Sequence, residues 1–226
     1  MKNGPKRTIR LPISLTPNLS FLAGAIIGDG HLGKNMHGGH TYKILIEMTS
    51  KEILEMIRSG VENSFHIVKE LRMKRHKTAI RKEVWKLEFQ SKVVWLLFNK
   101  VFEIPFGKKC NKVKIPRVIL KSNQECVKKF ITGLFLTDGG ISSYAVLFCS
   151  LSEKLMSNLH HVLHSLGIQN KVFRFENKRL NKPFFEMFIR KDNIRKFREV
   201  LPDTYIRFKE RESDSLVNSV GLKKQS

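Results

Sequence analysis

One ten-residue pattern occurs twice in this chain. Residues 21–30 read FLAGAIIGDG and residues 130–139 read FITGLFLTDG, both of the form F-x-x-G-x-x-x-small-D-G. The two aspartates, Asp29 and Asp138, lie 109 residues apart in a chain of 226. The similarity continues downstream. YKILIEMTSKEILEMI (42–57) matches YAVLFCSLSEKLMSNL (144–159), which pairs Ser50 with Ser152 at an offset of 102. VWKLEFQSKVVWLLFNKVF (84–102) matches FFEMFIRKDNIRKFREVL (184–201), which pairs Trp85 with Phe185 at an offset of 100. A period near 100 residues is too long for a solenoid and reads as duplicated half-domains. The shrinking offset places longer loops in the first copy, chiefly around Lys34–Thr41.

Each copy has the same order of elements. The first helix begins at Thr16-Pro17, where proline suits the first helical position, and ends at Gly28–Gly30. Its copy begins at Ser122-x-x-Glu125, a capping-box spacing, and ends at Asp138–Gly140. Hairpins are expected at 31–35 with 41–48 and at 141–143 with 144–150, then helices at 51–66 and 153–166. Second hairpins follow at 67–75 with 82–90 and at 171–176 with 183–190, then helices at 92–103 and 192–201. The expected fold class is α+β, as two pseudo-symmetric αββαββα half-domains, each with a four-stranded antiparallel sheet. The half-domains cover 17–104 and 122–211, with an extension at 1–16, a connector at 105–121 and a polar tail at 212–226.

Composition narrows the partner. The chain has 42 Lys and Arg against 20 Asp and Glu, a net charge of +22, which points to a polyanion. Residues 1–110 carry 20 basic and 9 acidic residues and residues 111–226 carry 22 and 11, so each half has the same net charge of +11. A basic tail would load one end. Cys110, Cys126 and Cys149 form no CxxC pair, which argues against a zinc site and for reduced thiols. No apolar stretch has membrane-spanning length and no apolar leader follows the basic start, so an intracellular protein is expected, in cytoplasm, nucleoid or organelle.

The repeated helix has distinctive chemistry. Gly24 and Gly28, and in the copy Gly133 and Thr137, stand four residues apart and therefore share a helix face. Small residues there admit another backbone at close range. If each motif helix crosses the other, Asp29 and Asp138 come side by side at the two C-terminal ends. The helix dipole disfavours an acid at that end, and paired carboxylates repel. A divalent cation relieves both effects, and an oxygen-rich site suits Mg²⁺, with Ca²⁺ or Mn²⁺ as substitutes. Such a site fits phosphodiester hydrolysis. The bland alternative is an Asp-Gly turn after an ordinary helix; two copies in one context weaken it.

At these residues the chain resembles the LAGLIDADG homing endonucleases in their monomeric, two-motif form. Leu22-Ala23-Gly24-Ala25-Ile26-Ile27-Gly28-Asp29-Gly30 resembles the name-giving motif, and Ile131-Thr132-Gly133-Leu134-Phe135-Leu136-Thr137-Asp138-Gly139 its second copy. Gly107-Lys108-Lys109-Cys110 with Ile115-Pro116 resembles the family's approach to that copy. The resemblance spans most of residues 17–210. It implies motif helices packed between the halves, saddle-shaped sheets along the major groove of a long duplex site, and cutting of both strands near its centre. It also implies Asp29 and Asp138 as metal ligands, aided by the carbonyls of Gly28 and Thr137. A glutamine is common at the end of the second strand in the family; Met48 and Ser150 stand there instead. Lys109 and Lys209 are the candidates for basic residues assisting catalysis, set against the alternative of solvated lysines.

Strand alternation divides the sheet faces. Tyr42, Ile44, Ile46 and Met48 form one set, and Thr41, Lys43, Leu45 and Glu47 the other. Trp85, Leu87 and Phe89 oppose Lys86, Glu88 and Gln90, while Leu71 and Met73 oppose Arg72 and Lys74. In the second half Phe185, Met187 and Ile189 oppose Glu186, Phe188 and Arg190, and Phe173 and Phe175 are read inward against Arg174, Glu176 and Lys178. A polar sheet face can enter the major groove. Arg72 and Arg190 suit guanine, Gln90 adenine, and Thr41 and Leu45 thymine methyls; Lys34, Lys77 and Lys82 suit phosphates. His31 and Ser142 complete the expected DNA-contacting set near the motif ends. His160 and His164 lack an evident third ligand, and the phenylalanines at 65, 89, 98, 102, 135, 148, 173 and 175 are read as core, which argues against a single-strand binder.

The leading expectation is thus a metal-dependent, site-specific double-strand DNA endonuclease, free-standing and intron-encoded, acting as a monomer. The rivals are an RNA-splicing maturase, with RNA as partner, a regulator that binds DNA without cutting, and a ribosome-associated structural protein.

Overall fold

The computed structural model describes residues 9–35, 41–74, 83–142, 144–177, 182–202, 205–207 and 209–210. The chain divides into two compact units. The first contains residues 1–108 and 116–133, and the second contains 109–115 and 134–226.

The first unit opens with α1 (Pro17–Gly28), which leads into β1 (Gly30–Asn35) and β2 (Thr41–Met48). Then come α2 (Lys51–Phe65), β3 (Arg72–Lys74), β4 (Val84–Gln90) and α3 (Lys92–Leu96), which continues as a π-helical turn at Leu97–Val101. The short α4 (Arg117–Leu120) and the first ten residues of α5 (Gln124–Asp138) also belong here. The strands form one antiparallel sheet in the order β1-β2-β4-β3. The second unit takes the last five residues of α5, then β5 (Gly139–Ile141), β6 (Ala145–Ser150), α6 (Glu153–Ser165), β7 (Lys171–Asn177), β8 (Lys182–Arg190) and α7 (Asp192–Arg198). Its sheet repeats the topology as β5-β6-β8-β7. The expected α+β class and the two four-stranded antiparallel sheets are both present. No helix among the described residues is long and apolar enough to cross a membrane.

Local chemistry explains the helix starts. Thr16 caps α1 by accepting from the Leu19 amide at 3.1 Å, with Pro17 at the first helical position. Ser50 and Ser152, paired by the repeat, cap α2 and α6 by accepting from Ile53 at 3.3 Å and Leu155 at 3.2 Å. The Ser152 hydroxyl also donates to the Val113 carbonyl at 2.6 Å, tying the 109–115 segment to the second unit. The second motif helix departs from expectation: its cap is Asn123, whose side-chain oxygen accepts from Cys126 at 2.9 Å. Ser122 instead turns its hydroxyl to the Ile119 carbonyl at 2.7 Å. The α4 helix supplies that acceptor, and its presence inside the expected connector redirects the cap.

α1 is buried continuously from Leu19 to Ile27, as expected of a helix with protein on all sides. Asn18 fastens it to α2 by donating to the Gly60 carbonyl at 2.9 Å and the Ser64 hydroxyl at 2.7 Å. Gly133 of α5 lies directly on α1. A methyl group at Gly133 would overlap the Phe21 carbonyl oxygen and sit 2.9 Å from the Ala25 amide nitrogen. The small residue in the second motif therefore admits the α1 backbone. The core of the first unit is built on Leu22, Ile26, Leu32, Ile44, Ile46, Phe65, Phe98 and Phe102. In the second unit Phe135, Phe148 and Phe197 meet edge to face at 5.4–5.9 Å, and Met187, Ile189 and Leu159 are fully buried as well.

Candidate nucleic-acid interface and motif acids

Both motif aspartates occupy the junction between a helix and a strand. Asp29 is the C-cap of α1, with φ −90° and ψ −2°, and is exposed. Asp138 is the last residue of α5 and is half-buried. The glycine after each acid is demanded by close packing. A Cβ on Gly30 would lie 2.6 Å from Ile26 Cα, and one on Gly139 would lie 2.5 Å from the Phe135 carbonyl oxygen. In both copies the obstructing residue is four positions back, because the chain leaves the helix and enters the sheet within one residue. The strands therefore begin at Gly30 and Gly139, one and two residues earlier than expected.

Pairing register then identifies what lies beside each acid. Gly30 pairs with Ile46, so Asp29 stands opposite Glu47 one step further along. Gly139 pairs with Phe148, which puts Asp138 opposite Cys149. The Asp138 charge contributes to holding the Cys149 thiol up at about 11. Partial desolvation of the sulfur is the larger cause, followed by the charge of Glu186 and its hydrogen bond from the thiol at 3.8 Å. The sequence shows Cys149 only as a reduced thiol, because its place beside Asp138 depends on the strand register. Met48 points into the core, and the Ser150 hydroxyl accepts from the Ser152 amide at 3.1 Å.

Thr137 donates to the Leu134 carbonyl at 3.1 Å, and Gly28 is half-buried at the end of α1. Lys109 is half-buried, and its carbonyl closes a turn with Lys112. Lys209 is only 7% exposed, so it is not the solvated lysine of the bland alternative. Among the described residues there is no group of three or more His, Cys, Asp or Glu able to hold a metal ion.

The uncovered face of the first sheet is charged. Across the strands it reads Gly33, Lys43, Gln90; then His31, Leu45, Glu88; then Glu47, Lys86, Arg72. Glu88 ion-pairs with Lys43 at 2.8 Å and with Lys86, and these two cations hold its carboxyl below the usual range. Lys74 pairs with Glu47 at 3.4 Å. Thr41 closes the row with Asn35. Lys34 does not share this face: it pairs with Tyr42, and its ammonium lies 5.7 Å from the Tyr42 ring, as does that of Lys92. These residues, with Thr41, Gln90 and Ser91, line a hollow of about 400 Å³. Lys77 and Lys82 lie outside the described residues.

The second sheet departs from expectation. Phe185, Met187 and Ile189 of β8 are buried as expected. However, Val172 pairs with Met187 and Arg174 with Phe185, which places Arg174 and Glu176 on the helix-covered side. There, on an edge strand, they reach solvent and pair with each other at 3.1 Å. Phe173 and Phe175 pair with Glu186 and Phe184 on the uncovered face and are 43% and 40% exposed. Alternation within β7 could not decide this, because its partner strand sets which alternate set faces the core. The other six phenylalanines read as core are buried. Glu186 and Arg190 remain on the uncovered face, opposite Cys149 and Ala145. The Ser142 hydroxyl is used in the β5–β6 turn, where the Ala145 amide donates to it at 3.2 Å. Lys178 lies outside the described residues. His160 Nδ1 is within 2.7 Å of Asn170 Oδ1, a structural contact between α6 and the following loop.

Comparison with known proteins supports the resemblance drawn from the motifs. Residues 125–202 match the LAGLIDADG-like domain family. The fold matches the homing endonuclease I-DmoI in complex with DNA and Ca, with a TM-score of 0.62 and 17% identity over 85% of this chain and 96% of that one. It also matches the homing endonuclease I-WcaI bound to its DNA recognition sequence, with a TM-score of 0.62 and 16% identity over 88% of each chain. At these identities the likeness establishes the fold. Among curated proteins, 92 residues are 32% identical to the replication factor C small subunit of Methanocaldococcus jannaschii, covering 40% of this chain and 5% of that protein. Over 203 residues the chain is also 22% identical to that organism's probable translation initiation factor IF-2, covering 87% of this chain and 16% of the relative. The chain thus spans a small fraction of the curated relatives it matches, and their named functions have nothing in common.

Proposed function

We propose that this chain, which has the fold of two-motif homing endonucleases and carries a LAGLIDADG-like domain at residues 125–202, is a site-specific double-strand DNA endonuclease acting as a monomer. One observation carries the reading. Each four-stranded sheet opens directly from a helix that ends in an acid, through a glycine that packing requires. A sheet that touches DNA would therefore bring an acid to the duplex in each half.

The donor chemistry suits a hard divalent cation: carboxylates of Asp29 and Asp138, with the carbonyls of Gly28 and Thr137 beside them. Two carboxylates suffice for Mg²⁺, which keeps several waters and takes substrate phosphate oxygens. When bound, the cation would activate water and stabilise charge on the scissile phosphate. Around it, the outward residues of the sheets bind and orient the duplex, and the phosphate-contacting lysines supply affinity without sequence. Lys209, excluded from solvent, and Lys109 are proposed to move protons at the water or the leaving oxygen. We further propose that the protein acts inside the cell and is encoded within an intron.

The test is cleavage of a randomised duplex library with Mg²⁺, with EDTA and Asp29→Asn protein as controls. Double-strand cuts at one long site, lost in both controls, are expected. Metal-independent binding without cutting would move the assignment to a non-cleaving binder on the same fold.

A further inference from the structure

The two sheets share one lattice but carry different chemistry on their uncovered faces. Register equates Glu47 with Cys149, because each lies one residue beyond the partner of the glycine that follows the motif acid. Carried across the sheets, the same count equates Glu88 with Phe188, Arg72 with Phe173, Lys74 with Phe175 and Val84 with Phe184. Where the first sheet presents two cations and an acid, the second presents phenyl rings. Phe173 meets Phe188 edge-on at 5.6 Å, and Phe175 stacks on Phe184 at 5.3 Å. Cations border the cluster: Lys171 pairs with Phe188, Lys182 stands two residues before Phe184 on the same face of β8, and the Arg190 guanidinium lies 4.8 Å from the Phe188 ring.

Four rings on an uncovered face would be an aggregation liability without an apolar partner. Bordering cations call for that partner to be a polyanion as well. The major groove of duplex DNA meets both demands at thymine, which alone among the bases presents a methyl group there and is contacted by phenylalanine. Resting on the endonuclease reading, we infer that the second sheet reads its half-site through thymine methyl groups, at Phe173, Phe175, Phe184 and Phe188, whereas the first, with Leu45 among charged and polar residues, reads mainly by hydrogen bonds and charge. The half-site of the second sheet is therefore thymine-rich, with Lys171, Lys182 and Arg190 on the flanking phosphates.

Deoxyuridine in place of thymidine tests this, because it removes the methyl and leaves every hydrogen-bonding group in place. Duplexes selected by binding in EDTA are resynthesised with deoxyuridine in one half at a time. Binding to one half is expected to weaken about fourfold per critical methyl, and the other half, where Thr41 and Leu45 are the methyl-contacting candidates, is expected to be the less sensitive. Phe173→Arg with Phe175→Lys, which carries the residue types of the first sheet to exposed positions and leaves Phe184 and Phe188 in place, should at least halve the number of critical methyls and move preference toward guanine. Phe173→Leu should retain the sensitivity to deoxyuridine, and circular dichroism checks the fold of both. A selected duplex indifferent to deoxyuridine in both halves overturns this inference alone. Failure to select any duplex removes the endonuclease reading and this inference with it.

Discussion

Gly133 of the second motif rests against the Phe21 carbonyl of the first, with no room for a methyl group between them. In an ordinary helix interior, glycine to alanine would stabilise by about 1 kcal/mol. Here the obstruction is backbone, which cannot rotate away. Gly133→Ala should destabilise by about 2–3 kcal/mol. Gly140→Ala is the control, since its Cβ would meet only Leu147 Cβ, at 3.9 Å. Denaturant unfolding that ranks the two variants equal would remove close helix packing as the reason for the motif glycine.

The glycines after the acids should behave likewise. Gly30→Ala forces a methyl to 2.6 Å from Ile26 Cα, whereas Gly33→Ala meets nothing nearer than 3.6 Å. We expect Gly30→Ala to lose about 1–3 kcal/mol of stability and, by moving Asp29, to lose cleavage even where it remains folded. Thermal melting alongside cleavage separates the two effects, and normal cleavage by folded Gly30→Ala would contradict the placement of Asp29.

Asp29→Asn and Asp138→Asn keep the side-chain shape and remove the charge. Each should abolish Mg²⁺-dependent cutting, by about 100-fold or more on the scale of losing one charge-stabilising group, with duplex affinity in EDTA unchanged. Loss of binding along with cutting, in protein that is folded by circular dichroism, would end the proposed division between acids that cut and sheets that bind.

Glu88 neutralises part of the first sheet's own charge through Lys43 and Lys86. Glu88→Gln should free both ammonium groups for phosphates, tighten non-specific duplex binding several-fold at low salt, and steepen its salt dependence by about one unit in log–log slope. Because the Glu88 carboxyl sits below its usual range, its contribution to stability is present above the ordinary carboxylate range. That contribution is lost as pH falls through the lowered value. Titration of binding against salt for both proteins is the check.

Cys149 combines exposure with a thiol held up at about 11, against an ordinary value of 9.0. Since the thiolate is the reactive form, alkylation at pH 8 should run about 100-fold slower than for an unperturbed thiol. Glu186→Gln should quicken it. The folded state holds this proton more tightly than the unfolded chain. The stabilisation is therefore complete below about pH 9 and lost as pH rises through about 11. Mass spectrometry of iodoacetamide-treated protein gives the rate, and rapid labelling of Cys149 in the folded protein would contradict the assignment.

What the sequence determined by itself was everything carried by short-range pattern. The repeat set the order of elements and matched Ser50 to Ser152, which both became helix caps. Alternation in β2, β4 and β8 sorted their faces because each has one set of residues apolar enough to be buried in only one way. The paired Asp-Gly helices signalled the fold because the packing constraints on Gly30 and Gly139 act within four residues. Tertiary structure decided what depends on a distant partner. β7 alternates between charged and aromatic residues, and only its pairing with β8 turned Phe173 and Phe175 outward. Asn123 became the α5 cap because α4 took the Ser122 hydroxyl. Cys149 came beside Asp138 through strand register, and Gly133 met Phe21 across 112 residues of chain. Hydrophobic pattern is written along a strand, whereas the identity of a neighbour is settled when the strand or helix beside it is in place.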